Sequence, residues 1–92
     1  MDSAMDSAMR ARMDPELLKL SDRDPDAVVE AIVTAESTLE ALLERLPASL
    51  VVHYTYRLIP GVAVSGPVGA LESLAMLSVV RSIEPVRAVH HC

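Results

Sequence analysis

Pro60-Gly61 separates two runs rich in β-branched and aromatic residues, Leu50 to Leu58 and Val62-Ala63-Val64. A proline-glycine pair makes a tight reversal, so the two runs must pair as an antiparallel hairpin. Within the first run His53, Thr55 and Arg57 alternate with Val52, Tyr54, Tyr56 and Leu58. Period two then predicts one wet side and one buried side, as on an edge strand, with Tyr54 and Tyr56 on the buried side.

The rest of the chain has to supply partners for this hairpin. Ala27 to Ala35, AVVEAIVTA, is short and rich in β-branched residues. It predicts a strand with apolar residues on both sides, one that sits inside a sheet. Ser37-Thr38-Leu39-Glu40 reads as a capping box, and Leu39, Leu42, Leu43 and Leu46 follow at helical spacing until Pro47. Ser65-Gly66-Pro67 opens a second helix, with Pro67 at its first position and Val68, Leu71, Leu74 and Ala75 on one side. Val79 to Val86 reads as the last strand. Beyond Pro85, which gives no N–H to a ladder, the chain is expected to leave the sheet as a tail.

The expected order is strand, helix, strand, strand, helix, strand. This is an α+β, ferredoxin-like βαββαβ arrangement: a four-stranded antiparallel sheet with two helices on one face. The other face would stay uncovered, with Val28, Ile32 and parts of the third strand on it. Residues 27–92 form this domain. Residues 1–26 read as a flexible N-terminal arm: MDSAMDSAMRARM is low in complexity, and Asp14-Pro15-Glu16 starts a short helix, either docked on the domain or part of a linker, before the turn chemistry of Ser21 to Asp26.

Composition narrows the function. The 92 residues carry 8 basic and 13 acidic side chains, a formal charge of −5, which is the wrong sign for binding nucleic acid through its phosphates. The core must be aliphatic, because the chain has two Tyr and no Phe or Trp. The first residues lack the positive charge and apolar run of a secretory signal, and no stretch is long and apolar enough for a membrane span. The chain as written therefore reads as cytoplasmic, with neither nucleic acid nor membrane as partner. No glycine-rich phosphate loop follows a strand, and the single thiol is Cys92. Adjacent residues of an extended chain point in opposite directions, so His90, His91 and Cys92 do not converge on a metal. No catalytic residue, metal or cofactor is expected.

The residues that remain distinctive occur in a familiar order. Leu58-Ile59-Pro60-Gly61-Val62-Ala63-Val64, then Ala70-Leu71-Glu72-Ser73-Leu74, then Val79-Val80-Arg81-Ser82-Ile83-Glu84-Pro85 resemble the propeptide and inhibitor domain of subtilisin-like serine proteases, the peptidase inhibitor I9 family. Pro60, Val62 and Val86 stand where that family more often has Asn, Phe and a second acid. Cys92 lies eight residues beyond Glu84, the tail length such propeptides have. The resemblance implies that Val89, His90, His91 and Cys92 enter the protease cleft as a product-like strand, with Val86 among the protease-binding residues ahead of them, at the position of the second acidic cap. Val89 would fill an apolar pocket, and the Cys92 carboxylate would lie near the catalytic serine. Glu84 would face the positive end of a protease helix. A propeptide of this kind also acts as an intramolecular chaperone. The alternative is a small ferredoxin-like oligomerising or ligand-sensing domain, in which two open sheet faces pair as a homodimer.

Overall fold

The computed structural model describes residues 12–56 and 58–86, and within them lie four strands and three helices. In chain order these are α1 (Pro15–Arg23), β1 (Val28–Ala35), α2 (Leu39–Leu43), β2 (Val51–Thr55), β3 (Gly61–Pro67), α3 (Val68–Ala75) and β4 (Val80–Pro85). The strands form one antiparallel open sheet in the order β2-β3-β1-β4. The molecule is thus an α+β domain with β1 and β3 inside the sheet and β2 and β4 at its edges.

Alternation decides which side of the sheet is dry. Ala31, Val33 and Ala35 of β1 face the same side as Val62 and Val64 of β3, and Val80 and Ile83 of β4 join them in a single buried cluster. Leu17, Leu42, Val68, Leu71, Leu74 and Ala75 reach that cluster from the helices, so all three helices cover one face. Every member of the cluster is aliphatic or methionine. The large fully buried side chains are Leu, Ile and Val alone. Removing such a side chain leaves a void that neighbouring aliphatics close only in part.

The helix beginnings correct the expected capping. Thr38, not Ser37, is the N-cap of α2: its side chain accepts the Ala41 N–H at 3.2 Å. Helix α2 also ends early. Arg45 N–H donates to Leu42 at 2.9 Å and Leu46 N–H to Leu43, so the chain tightens into i to i−3 bonds and Leu43 is left exposed. Pro67 is the last residue of β3 and the N-cap of α3, with no side-chain cap bond. The freed N–H groups find main-chain acceptors instead: Val68 donates to Ala27 at 2.8 Å and Gly69 to Pro25 at 2.9 Å.

The third covering helix is α1. Asp14 caps it by accepting the Glu16 N–H at 2.9 Å, and Pro15 takes its first position. Met13 bridges to Ile83 as a parallel strand would, and the Asp14 N–H donates to the Ile83 carbonyl at 3.0 Å. Ser21 is buried and donates to Glu72 of α3 at 2.6 Å, and the Arg12 guanidinium donates to the Ala75 and Leu77 carbonyls at the end of α3. Of the segment expected as an arm, residues 1–11 lie outside the described residues. Residues 12–26 pack against α3 and the edge of β4.

Candidate functional site: the uncovered sheet face and its C-terminal edge

No described helix or strand lies over the second face of the sheet. Its inner part is built by Glu30, Ile32 and Thr34 of β1 and Ala63 and Ser65 of β3, with Ser82 and Glu84 at the β4 edge. Val28, at the start of the same face of β1, is 74% exposed.

The β2 edge departs from simple alternation. The register of β2 on β3 shifts between Val52 and Tyr54: Val52 stands opposite Val64, yet Tyr54 stands opposite Ala63. His53 is the extra residue of a β-bulge. One inserted residue moves everything after it to the other side of the sheet. Tyr54 therefore lies on the uncovered face with Ala63, and the Tyr56 N–H donates to the Gly61 carbonyl at 2.9 Å on the same register. The expected buried side of this strand does not exist, and all five residues of β2 are exposed. The strand is also shorter than Leu50 to Leu58.

The bulge creates two local arrangements. His53 Nε2 and Ser65 Oγ share a 2.7 Å hydrogen bond whose donor depends on the imidazole tautomer. Glu30 neighbours Ser65 on the other side. Tyr54 and Tyr56 meet edge to face, with ring centroids 4.9 Å apart at 75°. Together with Leu58 and Ile59 they line a shallow apolar hollow of about 430 Å³, beside which Leu58 is fully exposed.

One row of side chains crosses all four strands: Tyr54, Ala63, Ile32 and Glu84. It runs from an aromatic edge over a small aliphatic centre to a carboxylate. Glu84 is exposed on the uncovered face of the β4 edge strand. Val86 is 40% exposed, and its N–H donates to the Glu30 carbonyl at 3.0 Å. Val89, His90, His91 and Cys92 lie outside the described residues. Glu84 and Val86 are thus held at the same edge of the domain, where the described chain ends. Chemically the face offers apolar contact, a hydroxyl-imidazole pair and carboxylates.

Reading the sequence alone put Tyr54 and Tyr56 on the buried side and Ser65 at the opening of a helix, and it placed His53 on the wet side without its bond to Ser65. The available signal was that both parities of Val51 to Tyr56 carry apolar side chains, which one uninterrupted edge strand does not need. Among the described residues no group of three or more His, Cys, Asp or Glu is placed to hold a metal, and no helix is long and apolar enough to cross a membrane. Compared with known proteins, the chain matches no family model and no curated protein.

Proposed function

We propose that the chain is a propeptide or inhibitor domain of the subtilisin type, with a ferredoxin-like βαββαβ core, and that it binds rather than catalyses. The observation that carries this reading is an uncovered sheet face bordered by the edge strand β4, the last described element of the chain. Docking that face on protease helices would bury Tyr54, Ile32 and Ala63 and bring Glu84 to a helix N-terminus. The tail Val89 to Cys92 would then pair with the substrate cleft by strand addition. The same contact makes the domain an intramolecular chaperone, since whatever binds the folded protease stabilises it.

The test mixes a purified subtilisin with the full chain, or with a chain ending at Ala88, and follows hydrolysis of a small chromogenic substrate. Slow loss of activity with the full chain and none with the shortened one is the expected result. Equal inhibition by both would remove the tail from the mechanism. No inhibition by either, with a dimer in light scattering, would return the open face to self-association.

A further inference from the structure

The uncovered face carries three rows of side chains, each crossing the sheet from β2 to β4. The middle row is Tyr54, Ala63, Ile32 and Glu84. On one side of it stand Val51, Ser65, Glu30 and Val86, the last placed by its N–H bond to the Glu30 carbonyl. On the other side stand Tyr56, Gly61, Thr34 and Ser82, with Tyr56 placed by its N–H bond to the Gly61 carbonyl.

We propose that the free chain covers this face with a second copy of itself, about a two-fold axis that runs parallel to the strands between Ala63 and Ile32. Rotation about that axis lays each row over the same row of the second copy in reverse order. The Tyr54 hydroxyl then donates to Glu84 of the second copy, and Ala63 packs on its Ile32. In the next row Val51 meets Val86, and Ser65, bonded to His53 at 2.7 Å, donates to Glu30. In the third row Tyr56 covers Ser82 and Gly61 faces Thr34. Each carboxylate thus meets a hydroxyl, and each tyrosine a residue that is not a tyrosine. The other face-to-face symmetry, with its axis along the rows, would set Glu84 against Glu84, and like charges in contact exclude it. An axis along the strands also keeps the strand directions of the two sheets aligned, offset by about 30° through their twist.

Four strands about 4.8 Å apart, with rows about 7 Å apart, make a small face. The dimer therefore lies at the low end of specific interfaces, with a dissociation constant of about 10–100 µM. The pairing goes beyond the propeptide reading and does not rest on it: a protease that docks on this face displaces the second copy.

Sedimentation velocity on the full chain alone tests it, at about 150 mM salt so that repulsion between chains of formal charge −5 is screened. Monomer should give way to dimer as the concentration rises from about 1 to 500 µM. Ile32→Glu sets a carboxylate beside the axis and should weaken the dimer about a hundredfold or more, with the circular dichroism of the parent. Tyr54→Phe and Glu84→Gln are conservative at exposed positions. Each should weaken the dimer about fivefold, and the double variant no further, because both remove the same contact between copies. Within one chain the two residues lie on opposite edges of the sheet, so such coupling arises only across the interface. A monomer throughout overturns the pairing, and so does a dimer indifferent to Ile32→Glu, which would point to β2 edges joined side by side. Losses that multiply in the double variant overturn the register. Inhibition of a subtilisin by a chain that stays monomeric overturns the pairing and leaves the propeptide reading intact, whereas a dimer without inhibition supports the pairing and counts against that reading.

Discussion

Gly66→Ala is the substitution on which the close packing of this sheet can be judged. Gly66 lies on β3 opposite Val29, at φ +158°. A Cβ there would stand 2.7 Å from the Ser49 carbonyl oxygen, 2.7 Å from Leu50 Cδ2 and 3.3 Å from Leu50 Cα. The leucine side chain can turn away, but the carbonyl belongs to a turn held by the Leu50 N–H bond to Pro47 at 3.1 Å. The turn or the strand has to move. Overpacking of this kind costs about 1–3 kcal/mol, and a dihedral at the margin of the glycine region adds to the lower end of its own range of about 1–3 kcal/mol. A total of about 2–4 kcal/mol is a large part of the roughly 5–10 kcal/mol that holds a domain of this size.

Gly61→Ala is the control. Its Cβ would be 3.4 Å from the Val33 carbonyl and 3.7 Å from the nearest side chains, which is ordinary contact. Both substitutions restrict the unfolded chain alike, so their difference reports the native state. In urea, with a slope of about 1 kcal/mol/M, Gly66→Ala should lower the midpoint by roughly 2–4 M with the slope unchanged. Gly61→Ala should stay within about 0.5 kcal/mol of the parent. Equal midpoints for the two variants would refute the placement of the Pro47–Leu50 turn against β3.

Two further outcomes are expected. Thr38→Ala should destabilise the domain by about 1 kcal/mol in the same titration and Ser37→Ala by much less, since Thr38 accepts the Ala41 N–H; the opposite order would restore Ser37 as the cap. Tyr54→Ser combined with Tyr56→Ser should cost about 1 kcal/mol of stability while weakening protease inhibition tenfold or more, and unchanged inhibition would show that the uncovered face does not dock.

Much of the architecture was legible because its signals are local. The β-branched run of β1, the Pro60-Gly61 reversal and the Val68, Leu71, Leu74 and Ala75 stripe of α3 each act over a few residues, and each marks an element the structure contains. Asp14-Pro15 marked the start of α1 in the same way. Whether that helix docks on the domain or belongs to a linker stayed open, because nothing local shows that Met13 and Leu17 find buried places in the core. The last strand was read as Val79 to Val86 and is Val80–Pro85, so Glu84 lies on it and Val86 just beyond it, while Tyr54 and Tyr56 were assigned to the buried side of the other edge.

By itself, then, the sequence determined which stretches become strands and helices, that the core is aliphatic, and that the chain doubles back at Pro60-Gly61. Tertiary structure decided what faces what. The bulge at His53 turns Tyr54 and Tyr56 onto the uncovered face because pairing with β3 admits one extra residue between Val64 and Ala63. The carbonyls of Pro25 and Ala27 cap α3 because the sheet brings a distant turn to its first N–H groups. Periodicity along a chain carries no knowledge of its partner strand. The side of a sheet on which a residue lies is a property of the pair.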